Sequence, residues 1–246
     1  MNNFNNCTIG SWITIAHSSI VEVMADSGFD WLCIDLEHTT IDYSEMLNLI
    51  IAIQGKGLKA YVRVGENNPL IIKRVLDAGP DGIIVPSVNS SQEALKALNA
   101  VKYPPIGTRG VGLARAQGYG FSFNKYKNET LNNIKLIVQI EHFKAIDELD
   151  LILNLEGIDG TFIGPYDLSG SIGKPGCWDD PEVIELIKRY EIIAKRYDKL
   201  IGFHIVPPDF NLVNDKINNG YNFIAFSFDL NFLGQMIRNQ LKLRKT

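Results

Sequence analysis

Short apolar runs alternating with helix-period segments along nearly the whole chain are the feature that most narrows how this sequence can fold. The runs fall at Cys7–Ala16, Trp31–Leu36, Lys59–Val64, Gly82–Pro86, Leu136–Ile140, Gly160–Ile163, Leu200–Ile205 and Phe223–Phe228. Continuous apolar stretches of this length read as strands buried on both faces. Helical spacing occupies Ser18–Ser27, Tyr43–Gln54, Pro69–Ala78, Ser91–Val101, Phe143–Leu153, Pro181–Lys195, Asp209–Asn219 and Leu230 to Lys242. Pro69 opens its helix and Gly79 stops it, while Ser91 is placed to cap the next. About eight strands, each followed by a helix, predict α/β architecture: one closed (β/α)8 barrel of the TIM type, a single domain over 1–246. Tyr103–Lys127, rich in glycine and aromatics, interrupts the alternation and is expected to be a functional loop.

Composition excludes several classes. A chain of 246 residues that is 46% hydrophobic can bury a full core, and a net charge of −4 offers nucleic acid no electrostatic footing. No basic leader precedes an apolar run, and no run approaches membrane-spanning length, so a cytoplasmic protein with no membrane partner is expected. Cys7, Cys33 and Cys177 have neither disulfide-framework nor zinc spacing. No GxGxxG follows the first strand, and Gly107–Gly112 (GTRGVG) is not a phosphate-binding Walker loop.

Chemistry in such a barrel belongs at the carboxyl ends of the strands. His17 stands there, as do Asp35, Glu37 and His38, then Arg63 and Glu66, then Gln139, Glu141 and His142, then Asp167, His204, Ser227 and Asp229. All four histidines are in that set. No lysine is: Lys59 and Lys135 stand at the opposite ends of their strands, so a Schiff-base mechanism lacks its nucleophile and a polarising metal is the better electrophile.

The stretch Lys135–Gly173 concentrates the signal. Two apolar runs end in acids, Glu141 and Asp167, and strands joined by one crossover helix point the same way, so both acids emerge at one end of the sheet. They are either a seat for a hard cation or for acid–base work, or caps of the following turns. Gln139 and Glu141, two apart, share a strand face. Two carboxylates completed by water and a chelating substrate suit Mg2+ or Mn2+. His38 is the best general base, with a structural histidine as the alternative, and Arg63 is an inward cation that either acts or merely balances acids.

The segments IDLEHT (Ile34–Thr39), YVRV (Tyr61–Val64), VLDAG (Val75–Gly79), YPPIGTRGVGLARA (Tyr103–Ala116), VQIE (Val138–Glu141) and FIGPYDLSGSIG (Phe162–Gly173) appear in an order that resembles the HpcH/HpaI aldolase family, metal-dependent class II pyruvate aldolases. The resemblance covers roughly Ile9 to Asp229. It implies a barrel whose last helix is exchanged between subunits of a homo-oligomer, commonly a hexamer and otherwise a trimer. It also implies reversible cleavage of a 4-hydroxy-2-oxo acid to pyruvate and an aldehyde through a pyruvate enolate held by a divalent cation, Mg2+, Mn2+ or Co2+. Carried across by motif, Glu141 and Asp167 hold the metal, Gln139, Asp167 and the Tyr166 backbone contact the 2-oxo acid, His38 is the base, Asp77 raises its basicity, and Arg63 stabilises the enolate. The chain departs from the family pattern at His17, at His142 and in the shorter GVGLARA loop, which leaves the pyruvate end intact and alters the aldehyde end. The rival readings are a CoA-thioester lyase of the same superfamily and a barrel that binds without catalysing.

Overall fold

All eight apolar runs pair edge to edge as parallel strands in the computed structural model, which describes residues 7–244. They are β1 (Thr8–Ile13), β2 (Trp31–Asp35), β3 (Lys59–Arg63), β4 (Gly82–Val85), β5 (Lys135–Ile140), β6 (Gly160–Ile163), β7 (Leu200–Ile205) and β8 (Phe223–Phe228). The ring runs β1 to β8 in sequence order and closes between β8 and β1, giving a TIM-type (β/α)8 barrel. Helices follow the strands and cover the ring. Among the described residues no helix is long and apolar enough to cross a membrane.

A repeated device fixes the amino ends. The carboxylate of Asp30, just before β2, accepts the Ile9 amide of β1 at 2.7 Å. Asp81 does the same for Ala60 (3.0 Å), Asp159 for Leu136 (2.9 Å) and the Asn222 carboxamide oxygen for Ile201 (2.7 Å). Each side chain therefore ties one odd-numbered strand to the next even one. Lys59 and Lys135 pair with Asp81 and Asp159, both at 2.8 Å, so these lysines belong to the clamp and not to the chemistry.

Above the clamp the barrel is filled, not hollow. Trp31 stacks on Phe223 with ring centroids 4.2 Å apart, and Tyr61 and Phe162 meet Phe223 edge-on. Trp31 needs the space beside it: a Cβ on Gly10 of β1 would lie 2.0 Å from its indole. A larger cluster between sheet and helices completes the core, with Ile50, Val75, Leu98, Ile146 and Val213 on the inner faces of their helices.

Three details differ from the sequence reading. The helix over Phe143–Leu153 divides into Phe143–Asp147 and Leu149–Leu153 at Glu148, whose carboxylate instead accepts the Ser91 amide (2.7 Å) and hydroxyl (2.8 Å) of a neighbouring helix. That helix is capped by Ser90, not Ser91, because the Ser90 hydroxyl accepts the Glu93 amide. The loop Tyr103–Lys127 contains helical turns at Arg115–Gly120 and Phe123–Lys125. Its anchor is Arg109, 2% exposed, which donates to Asp77 (2.6 Å) and to the Tyr126 hydroxyl (2.8 Å).

Candidate active site

Period-two geometry carries each inward row of side chains from the aromatic filling into a polar mouth. On β2 the row is Trp31, Cys33, Asp35; on β3 it is Tyr61, Arg63; on β5 it is Ile137, Gln139 and then Glu141 just beyond the strand. Asp35 and Arg63 are register partners, so their pairing follows from the sheet itself. Arg63 donates to both Asp35 oxygens, through Nε at 2.9 Å and Nη2 at 2.7 Å. Its Nη1 lies 3.2 Å from Glu37, and its guanidinium sits 4.4 Å over the Trp12 ring. Burial works to raise the Asp35 pKa, but hydrogen bonds and charge from Arg63 outweigh it and hold the carboxyl below its usual range.

The loops after β2, β4 and β5 and the helix after β6 enclose a cleft of about 250 Å³, lined by Glu37, His38, Ser87, Asn89, Glu141, His142, Asp167 and Ser171. Glu141 is its buried acid. Its Oε1 accepts from the Gln139 amide nitrogen and its Oε2 from the Ser87 amide at 2.9 Å. Ser87 reaches that position with φ 54, a left-handed conformation that costs a non-glycine residue about 1 kcal/mol or more. Gly164 allows the close packing: a Cβ there would stand 3.0 Å from Glu141 Cγ. Burial pushes the Glu141 carboxyl up to about 7, the Ser87 amide opposes this, and the charges of Glu37 and Asp167 add to it. Glu37 is likewise raised by burial, against the pull of Arg63.

Asp167 occupies the first turn of a helix, Pro165–Ser171, that the Ser-Gly-Ser composition of its last turn conceals in the sequence. Tyr166 beside it is exposed, with its carbonyl accepting from the Ser169 hydroxyl at 2.5 Å. His38 stands at the rim, 66% exposed, with Nε2 3.7 Å from Glu37. Its neighbour is therefore Glu37. Asp77 lies elsewhere: Arg109 and Gln117 hold it and it does not line the cleft.

Several strand-end residues have structural occupations. His17 and His142 are helix N-caps, with Nδ1 accepting the amides of Ser19 and Lys144, each at 3.2 Å. Asp229 accepts the Thr14 and Ile15 amides at 2.7 and 2.9 Å and so locks β1 to the last helix. His204 lies against Trp12, ring centroids 5.7 Å apart, with Nε2 buried and without a hydrogen-bond partner among the described residues. Ser87, Asn89 and Ser171 were not among the sequence candidates. The signal for the first two was the polar tract Ser87-Val88-Asn89 directly after the β4 run.

Among the described residues no group of three or more His, Cys, Asp or Glu side chains could hold a metal alone. Three carboxylates nevertheless share one small cleft whose nearby guanidinium is already committed to Asp35 and Glu37, leaving negative charge uncompensated. Two of those carboxylates, with oxygens from water and a chelating ligand, fit a hard ion that keeps part of its solvent shell.

A parallel barrel with carboxylates, a histidine and an arginine gathered at its carboxyl face has the layout of a barrel enzyme acting on a small molecule. The family model for HpcH/HpaI aldolase/citrate lyase matches residues 8–235. The chain belongs to that family, and its enzymatic class is that of the aldolases. It is 35% identical over 223 residues to a 2-dehydro-3,6-dideoxy-6-sulfogluconate aldolase of Pseudomonas putida, covering 90% of this chain and 86% of that one. It is 35% identical over 240 residues to a 2-keto-3-deoxy-L-rhamnonate aldolase of Klebsiella pneumoniae, covering 97% and 89%. The crystal structure of an HpcH/HpaI aldolase/citrate lyase family protein from Burkholderia cenocepacia superposes with a TM-score of 0.91 at 29% identity, covering 97% of this chain and 94% of that one.

Proposed function

We propose that the chain cleaves a 4-hydroxy-2-oxo acid, of the 2-keto-3-deoxy sugar-acid kind, to pyruvate and an aldehyde, with Glu141 and Asp167 holding a divalent cation. The observation that carries this reading is the meeting of Glu37, His38, Glu141 and Asp167 in one cleft directly above the Asp35–Arg63 pair. When bound, the cation supplies positive charge for the substrate's carboxylate and 2-oxo oxygens. Gln139 and Ser87 fix the rotamer of Glu141, and the Tyr166 backbone amide, next to Asp167 in the first turn of its helix, serves the carboxylate of the 2-oxo acid in this reading. His38 takes the proton of the C4 hydroxyl as the C3–C4 bond breaks. The electron pair moves toward C3 and the 2-oxo oxygen, and Arg63 has two N–H groups beyond those facing Asp35 and Glu37 with which to meet the developing oxyanion. Return of the proton from His38 to C3 then gives pyruvate and restores the base.

Asp77, which the resemblance casts as raising the basicity of His38, is held by Arg109 and Gln117 and does not line the cleft, so in this reading Glu37 stands beside His38 in its place. The exposed side chains Leu230, Leu233, Ile237 and Leu241 on the last helix support a homo-oligomer; we take it to comprise three or six chains and to work in the cytoplasm. The test is pyruvate release from a panel of 4-hydroxy-2-oxo acids with and without Mg2+, Mn2+ or Co2+. Metal-dependent turnover is expected; no turnover on any member with any metal overturns the reading.

A further inference from the structure

Arg63 is held along one edge by an acid and on one face by a ring, and the two contacts do different work. Its Nε and Nη2 both donate to Asp35, which fixes that edge of the guanidinium. Glu37, 3.2 Å from Nη1, adds charge but no further hydrogen bond. A planar fork held along one edge can still swing about it. Trp12 removes that freedom, because the guanidinium carbon stands over its ring, 4.4 Å from the centroid. The indole is itself held. It is 3% exposed and belongs to the aromatic cluster that fills the barrel. Phe162 meets it edge to face at 5.8 Å and 78°, and His204 at 5.7 Å and 66°. A cation in the place of His204 would compete for the π density that attracts Arg63 and would repel the guanidinium. Burial and the charge of Arg63 keep the imidazole unprotonated at neutral pH.

We propose that Trp12 is the positioning residue for Arg63, braced by the uncharged ring of His204, and that the pair keeps the two remaining N–H groups of the guanidinium aimed at the oxyanion that develops during cleavage. This inference rests on the aldolase reading above. Neither ring needs to touch the substrate for this. Their effect belongs to the transition state, because the 2-oxo oxygen carries its full charge only as the C3–C4 bond breaks. Loss of the face contact therefore shows in kcat and spares KM, whereas a side chain that bound the ground state would show in KM. Space-filling alone makes a different prediction: any side chain of similar bulk would serve in place of Trp12, with or without a π face.

The experiment measures kcat and KM for Mn2+-dependent pyruvate release from a 2-keto-3-deoxy sugar acid, per folded molecule, together with Mn2+ affinity by calorimetry. Trp12→Leu is expected to lower kcat about tenfold, with KM and Mn2+ affinity within about twofold of wild type. Trp12→Met, which fills more of the space but offers no π face, should behave like Trp12→Leu and stands in for it if that variant does not fold. Trp12→Phe, which keeps a face for the guanidinium, should recover most of the loss. His204→Ala should lower kcat about threefold, and His204→Phe, an uncharged ring in the same place, should restore it. Wild-type kcat in Trp12→Met, a loss that appears in KM, or a Trp12→Phe variant no better than Trp12→Met overturns the positioning role while wild-type turnover leaves the aldolase reading standing. No turnover by the wild type overturns the aldolase reading and this inference with it.

Discussion

The lower and upper halves of the barrel interior are built from the same inward rows of the same strands, yet obey opposite rules. Below, Trp31, Tyr61, Phe162 and Phe223 fill space with packed rings, and the Trp31 Nε1 is buried there without a hydrogen-bond partner among the described residues. Higher on the inward rows of β2, β3 and β5 stand Asp35, Arg63 and Gln139, where charge balance and hydrogen bonding decide what fits. The aromatic floor keeps water from reaching the acids from beneath, which raises the cost of their charge and strengthens every interaction above it. Rigid packing thus makes the reactive layer electrostatically expensive.

Removing an acid from the upper layer should have the largest effect. Glu141→Ala or Asp167→Ala is expected to lower metal-dependent pyruvate release by on the order of 10²–10³ and to weaken cation binding measured by calorimetry. Full activity of either variant in chelator-treated buffer would remove the metal assignment and with it the contrast between the layers.

Next comes His204, where the two layers meet. Burial, and then the charge of Arg63, push its pKa down to about 4 from 6.5. The sign follows from linkage: above about pH 6.5 the ring is neutral in both folded and unfolded chains, and nothing is lost. As pH falls from 6.5 toward 4 the unfolded chain takes up the proton first, so stability declines by about 3 kcal/mol in total. Denaturant titrations across that window should show this slope in the wild type and lose it in His204→Leu. An identical slope in both would place the titration elsewhere.

Gly10→Ala tests the lower layer alone. With its Cβ 2.0 Å from the Trp31 indole, it should destabilise by about 1–3 kcal/mol and lower the melting temperature, with kcat per folded molecule unchanged. A loss of kcat without a loss of stability would mean that the floor is not merely a floor. Ser87→Ala should be smallest, less than about 1 kcal/mol, because the amide that holds Glu141 stays and only a hydroxyl contact at 3.3 Å is lost.

The division between layers also explains what the sequence discloses. Strand identity was legible because the strands are apolar over most of their length, and the acids at their ends stood out against that background. Glu141 and Asp167 could be assigned to one face from strand direction alone. Ser87 could not, since its contribution is a backbone amide turned by a left-handed φ, and no side-chain pattern encodes that. The split at Glu148 was hidden for a similar reason: its carboxylate serves Ser91, 57 residues earlier, and helical spacing is blind to such a partner. The same limit applies to Asp77, whose motif announces a role while its contacts are with Arg109 and Gln117.

The clamps at the amino face carry a practical consequence. They join β1 to β2, β3 to β4, β5 to β6 and β7 to β8, so a cut between β4 and β5 severs none of them. Such a cut would leave His38 and Arg63 on one fragment and Glu141 and Asp167 on the other. Each fragment would keep two intact strand pairs and only half the chemistry, which makes this barrel a ready split reporter: signal arises only when two fused partners bring the fragments back together.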